Sequence, residues 1–268
     1  MRGNNVDASF SFTHDIFFEW TFFRLLIDLG ESWLEGLAQA GEPPLLGRVV
    51  GLLAQYSIVE PGKWSASYAA LDQSTLRPQW RREWLTAPPF TSAFVANGKE
   101  FTELVTANDH VLLEKLLVWF QAQHTVPSPA VLANASPGQS GLDRLGLAEL
   151  LSWPSDFASW GRFLDWLMPL APTLPVRLLP RIVEVFSVWQ NALSELPTPR
   201  SKAIVAMCAE WLIEFEKAVY PENFAFETGR WKELGSDAQK HFATALRVVI
   251  VRAARAFPRP PMPYSTER

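Results

Sequence analysis

The chain has 268 residues, 48% of them hydrophobic and 19% charged, with a formal net charge of -4. That is enough apolar chain for one large domain or two small ones, and too much for a disordered acidic or basic tail. The near-neutral balance gives no electrostatic basis for nucleic-acid binding, and a lone Cys208 excludes a disulfide framework and a thiolate zinc site and agrees with a reducing, cytoplasmic setting.

The chain opens with the polar run Met1-Arg2-Gly3-Asn4-Asn5, without a small-residue cleavage site behind it, so no signal peptide is expected. Ser9 to Phe12 alternates polar and apolar, which reads as a short strand-like start. Thr13 is placed to cap a helix, with Asp15 in its first turn, where a carboxylate suits the positive end. From Ile16 to Leu29 apolar residues cover almost every side, leaving a narrow polar edge of Glu19, Arg24 and Asp28. That pattern predicts a buried helix, and the three charges argue against a membrane span. Gly30 is the stop.

Further helices are predicted over 32–40, 43–57, 64–71, 78–86, 99–106 and, capped by Asn108 or Asp109, on to about Gln123. Residues 125–141 are rich in Pro, Ser, Gly and Asn and read as a loop or internal linker. Beyond it, helices are predicted over 142–151, 157–168, 176–193, 202–220 and 237–257. In 176–193, Arg177, Arg181 and Glu184 form a solvated stripe opposite Leu178, Ile182, Val185 and Trp189; Glu210, Glu214 and Lys217 make a similar stripe further on.

Twelve Trp and 21 Pro complete the pattern. The prolines fall between the apolar periodic runs, as punctuation in an array of short helices; Trp buries a large area and usually finds a partner for its indole N–H, so scattered Trp suggests many separate element-to-element contacts. The fold class is therefore all-α: an irregular helical-repeat solenoid of the HEAT or armadillo kind, or an irregular helical bundle. No strict internal period supports a consensus repeat array.

Chemical motifs are scarce. The chain holds no G-x-x-x-x-G-K-[ST], H-E-x-x-H or G-x-S-x-G, and the Gly138/Gly141 segment, lacking a lysine and a preceding strand, reads as linker. His14, His110, His124 and His241 are too widely spaced to share a metal on one helix turn. Cys208, between Met207 and Ala209, reads as a buried inert thiol. Arg247, Arg252, Arg255, Arg259 and Arg268 against Glu267 make a basic end, read as a solvated helix face with a Pro-rich tail. The one pair of chemical interest is His14-Asp15. A His-Asp doublet at a helix start serves divalent metals in HD-type phosphohydrolases, but no upstream histidine is present to complete such a site. Taken alone, His14 reads as a packing and capping residue, with Asp15 serving the helix dipole.

Residues 10–29, opening Phe-Ser-Phe-Thr-His-Asp-Ile-Phe-Phe, resemble the end of the winged-helix domain in STAND-type signalling ATPases, the class of NLR immune receptors and bacterial antiphage ATPases. There a short strand delivers a Met-His-Asp-like triplet onto an apolar helix; here the triplet is Thr13-His14-Asp15, departing at its first position. The stretch Gly41-Glu-Pro-Pro-Leu-Leu-Gly-Arg-Val-Val50 is similar to the helical segment that follows in large bacterial members.

The resemblance implies that His14 contacts the diphosphate of a bound nucleotide and that Asp15 organises the turn, which a helix N-terminus and an imidazole N–H both favour. It also implies that the phosphate-loop domain preceding this segment is missing, so that nucleotide sensing needs that domain. On this reading residues 1–30 are the remnant of a winged-helix end and 31–268 a helical-repeat interaction domain. The chain is then no enzyme and carries no cofactor. Its partners are a protein ligand or the missing NTPase domain, with no nucleic acid and no membrane. A metal-dependent phosphohydrolase at His14 and Asp15, or a helical scaffold unrelated to defence, are the alternatives. Phe10, Phe12, Phe17, Phe18, Trp20, Phe22 and Phe23 are expected to lack part of their natural cover, and so to be repacked by later helices or to form an exposed patch.

Overall fold

Glycine and proline mark several of the helix ends, such as Gly30 after the first helix and Gly62 and Pro78 before two later ones. The computed structural model describes residues 15–128, 152–193, 198–219, 231, 234 and 236–256. The chain divides into two compact units, Met1–Leu104 and Val105–Arg268. The described residues are almost wholly helical, so the fold class is all-α, with a single two-residue pairing of strands.

In the first unit, α1 spans Asp15–Asp28, α2 Trp33–Gln39, α3 Gly47–Ser57, α4 Lys63–Gln73, α5 Gln79–Thr86 and α6 Ala93–Thr106, the unit boundary falling in the last turn of α6. Gly30, at φ +57°, turns the chain out of α1, in the left-handed region that glycine enters without a Cβ clash. Pro44 and Pro88 each open a short 3-10 turn.

Helix α3 is the centre of this core. Val49, Val50, Leu53 and Ala54 are buried on it, with α1 and α5 packed against it. Gly47 lies close under α5: a Cβ there would stand 3.3 Å from the Glu83 side chain, whereas one at Gly51 would meet the Ala87 Cβ at an ordinary contact distance of 3.6 Å. Trp84 of α5 stacks on Trp33 of α2 with ring centroids 5.1 Å apart. Helix α6 begins at Ala93, well before the predicted Lys99, because Phe94 and Phe101 lie seven residues apart on one face and both are buried, Phe101 against Trp64 of α4. That burial outweighs the roughly 1 kcal/mol cost of Gly98 inside the helix.

Among its described residues the second unit holds α7 (Val111–Gln123), the strands β1 (Thr125–Val126) and β2 (Trp153–Pro154), and the helices α8 (Phe157–Leu170), α9 (Leu179–Leu193), α10 (Pro199–Val219) and α11 (Ser236–Ala256). The strands pair antiparallel, Thr125 with Pro154 and Val126 with Trp153. So the first two residues of the expected 125–141 linker are strand, while 129–141, like the predicted helix over 142–151, lie outside the described residues.

Helix α9 is central here, packed against α7, α10 and α11. Leu178, Ile182, Val185 and Trp189 are buried and Arg181, on the opposite stripe, is exposed, as their spacing predicted; Arg181 is bonded to Glu184 at 2.8 Å. Asp156 caps α8 by accepting the Ser159 N–H at 2.7 Å. Phe120 of α7 stacks on Phe163 of α8, centroids 3.9 Å apart.

Three expectations need correction. Neither Asn108 nor Asp109 caps α7: Asn108, Asp109 and His110 all have positive φ in a tight turn, and no side chain caps the helix. These three residue types tolerate the left-handed region best after glycine. Arg177 holds the turn, donating to the Asp109 carbonyl and pairing with its carboxylate at 2.9 Å. Second, not every buried indole finds a partner. Trp80 donates to Glu42 at 2.6 Å and Trp160 to the His124 carbonyl at 2.7 Å, whereas the Nε1 atoms of Trp64, Trp84 and Trp189 are buried without one.

The third correction concerns α1. Only one side of it is buried, through Phe23 and Leu26, while Ile16 (67%), Phe17 (58%) and Trp20 (57%) are exposed, with Leu25 and Leu29. The nominal polar edge points partly inward: Glu19 is the shielded partner of Arg48, 3.6 Å away. An all-round apolar pattern requires partners on every side, and α1 packs mainly on α3 and α2.

Candidate functional site

The sequence directs attention first to His14 and Asp15. His14 lies outside the described residues, and Asp15 is described only as the first backbone position of α1. The expected aromatics Phe10 and Phe12 lie outside as well. Of the remaining five, Phe17 and Trp20 are exposed, Phe18 and Phe22 half-buried and Phe23 buried, so part of the expected patch is present.

The other histidines stay apart. His110 sits in the left-handed turn before α7, His124 ends α7 with its ring 5.0 Å from that of Phe120, and His241 is exposed on α11. Burial pulls the His124 imidazole down to about 4, so it is neutral at physiological pH. Among the described residues no three His, Cys, Asp or Glu side chains converge as a metal site. Cys208 is buried and its thiol is pushed up to about 12 by desolvation, a thiol rather than a nucleophilic thiolate. In the basic C-terminal helix, Arg247 pairs with Glu216 at 2.7 Å and Arg252 donates to Asn191; the side chain of Arg255 and residues 257–268 lie outside the described residues.

What the first unit does present is a cleft of about 630 Å³, bounded by α1, α2, α3 and α4. Both α1 and α4 pack on α3, and the gap between them is the cleft. Leu26 and Ile27 line it from α1, and Leu53, Tyr56 and Ser57 from α3. On α4 the lining face is Lys63, Ala66, Ser67 and Ala70, spaced i, i+3, i+4, i+7, so that one small-residue face of the helix is turned to the cleft. Trp33 of α2 closes one end, its ring fixed by the stack on Trp84.

Few polar groups enter. Ser57 spends its hydroxyl on the Leu53 carbonyl at 2.8 Å. Lys63 bonds Glu60 at 2.8 Å and lies 5.2 Å from the Tyr56 ring centroid. Glu31 is the remaining charged lining group and makes no ion pair among the described residues. Mainly apolar walls with a few placed polar groups, at this volume, are the usual make-up of a binding site.

The apolar surface does not stop at the cleft mouth. Ile16, Trp20, Phe23 and Ile27 recur at i, i+4, i+7, i+11 and so form one stripe of α1, with Ile27 inside the cleft and Ile16 and Trp20 exposed. Trp20 lies 5.5 Å from Phe23, which meets the cleft residue Tyr56 edge-on at 6.2 Å. At 1.5 Å per residue the stripe runs about 16 Å. A second, shallower depression of about 550 Å³ lies on α10 in the second unit, between Met207, Trp211 and the Glu210/Glu214 stripe.

Residue chemistry did not single out the cleft, because its makers are ordinary: alanines, a serine and the ends of two helices. The one sequence signal that bears on it is the all-round apolar pattern of α1, which by itself reads as a buried helix. No helix among the described residues is long and apolar enough to cross a membrane. No protein-family model, curated protein or solved structure matches the chain.

Proposed function

We propose that the chain is a non-catalytic helical interaction module, and that the first-unit cleft with the stripe on α1 is where it receives a protein ligand. The observation that carries this reading is the continuity of the cleft with exposed Ile16 and Trp20, an apolar surface of a kind that marks interaction sites. The setting proposed is the sensor or regulatory arm of a STAND-type signalling ATPase in the cytoplasm. The triplet Thr13-His14-Asp15 and the aromatic helix after it support that affiliation, and the buried thiol of Cys208 suits a reducing compartment. His14 and Asp15 then sense nucleotide only together with an NTPase domain.

Calorimetry tests the proposal. The isolated chain is expected to bind ATP and ADP negligibly, and to bind nucleotide with a contribution from His14 when joined to a phosphate-loop domain. Micromolar affinity of the chain alone, or stoichiometric divalent metal in the purified protein, overturns it; the second result favours the phosphohydrolase reading at His14 and Asp15.

A further inference from the structure

The ends of two helices converge on the cleft with the same polarity. Ile27 lies in the last turn of α1, and Tyr56 and Ser57 in that of α3, and all three line the cleft. Both helices therefore direct their negative ends toward it, and neither has a basic residue in its last turn. Acidic residues follow each: Asp28 closes α1 and Glu31 lines the cleft just beyond, while Glu60 follows α3.

The compensating charge is unevenly placed. Glu60 is answered by Lys63, but Asp28, Glu31 and Glu35 make no ion pair among the described residues. Helix α4 begins at the cleft, and its first amides are already taken by Glu100, which accepts from Gly62 and Ser65 at 2.9 and 2.7 Å. The two-turn helix α2 begins there too, with Glu35 in its own first turn. The Gly30–Glu31 end of the cleft is thus apolar on its walls and electronegative at its tip.

Size decides what kind of occupant fits. The cleft alone would suit a small molecule, but the stripe from Ile27 to Ile16 spans about 16 Å, roughly three turns of helix, with Phe23 covered within it and Trp20 and Ile16 exposed beyond the cleft. The small face Ala66–Ser67–Ala70 leaves room for the backbone of an incoming helix, and Trp20 offers a large anchor at the far end.

Resting on the reading of the chain as an interaction module, we infer that the partner segment is a basic amphipathic helix. Its apolar face lies along Ile16, Trp20 and Ile27, and a Lys or Arg at one end reaches Glu31 beside the C-terminus of α1. Charge complementarity at that tip selects the partner, and the apolar stripe supplies the contact area.

The test is a display selection of random sixteen-residue peptides on the full chain, followed by affinities of the enriched peptides, fluorescein-labelled, by anisotropy. The expected consensus has apolar residues at i, i+3 or i+4 and i+7, with Lys or Arg at one end. Binding is expected to weaken at least tenfold with Trp20→Ala, with Ala66→Trp, which fills the cleft, and with Glu31→Lys. Glu210→Lys in the second unit is expected to leave affinity unchanged, and circular dichroism confirms that each variant is folded. Peptides with an acidic or uncharged consensus, or affinity indifferent to Glu31→Lys and Trp20→Ala, overturn the inference while leaving an interaction module in place. No enriched peptide at all overturns both.

Discussion

Glu100 caps a helix from which it is far removed in sequence, and deleting it has a calculable consequence. Its carboxylate accepts from the Gly62 and Ser65 backbone N–H groups, two donors at the start of α4 that have no intrahelical partner. Burial pushes the Glu100 carboxyl up, but the hydrogen bonds from Ser65 and Gly62 together outweigh it and hold the group below its ordinary value of 4.5. Glu100→Ala strips both amides of their acceptor. Water reaches the Gly62 side, so the loss is that of a good N-cap rather than of two dry charged hydrogen bonds, about 1–2 kcal/mol. In a unit of 104 residues each kcal/mol lowers the midpoint by about 4–8 °C.

The dependence on pH has a definite sign. Because the folded carboxyl is the stronger acid, its contribution is present above 4.5 and is lost as the pH falls through the folded value. Wild type and Glu100→Ala therefore converge in acid. Glu100→Gln, which keeps an acceptor without the charge, is expected to fall between them at neutral pH. Denaturant unfolding followed by far-ultraviolet circular dichroism at several pH values measures all three. A neutral-pH loss below about 0.5 kcal/mol, well under the usual cap range, or a gap that persists undiminished in acid, refutes the reasoning.

Three further outcomes follow from the second unit. A Cβ at Gly161 would stand 3.2 Å from the Arg200 guanidinium, which is held by two 2.7 Å bonds to Asp165 and lies over Trp189. Gly161→Ala alone is expected to gain little, whereas in an Arg200→Ala background it is expected to recover most of the roughly 1 kcal/mol helix preference of alanine over glycine; equal effects in both backgrounds would falsify the crowding. Cys208 is expected to resist a thiol reagent at mildly alkaline pH and to react on unfolding, since its thiol is buried and raised to about 12; rapid labelling of the native chain contradicts this. The imidazole of His124, pulled down to about 4 by burial, is neutral in the fold and protonates more readily once unfolded. Stability of the second unit is therefore expected to fall as the pH drops from 6.5 toward 4, and proton-resonance titration is expected to show no change at His124 until the lower part of that window.

Much of the architecture was legible because its signals are local. Gly30 at the end of α1, Pro44 and Pro88 at helix boundaries, and the opposed stripes of α9 each depend on a few neighbouring residues, and turn residues with helical periodicity located them, though not the 3-10 form of the turns at Pro44 and Pro88. The all-α class followed from the sum of such signals. The turn at Asn108, Asp109 and His110 was misread as a cap because capping residues and left-handed residues are largely the same types; what separates the two uses here is Arg177, 68 positions away from Asp109.

The rest was decided only by what the helices pack against. Hydrophobic spacing states that α1 can be buried on all sides, but the neighbours that reach it leave Ile16, Phe17 and Trp20 exposed. Nothing local to Lys63 or Gly62 announces that Glu100 will cap α4, and nothing local to Ala66 and Ala70 announces a cleft beside them. A cleft is a gap between elements distant in sequence, and its electrostatics come from where helix ends arrive. Composition and periodicity fix each helix and its apolar face; the convergence of the α1 and α3 ends on one cleft exists only once packing on α3 has brought them together, because separate backbone dipoles add to one field only when the fold aligns them.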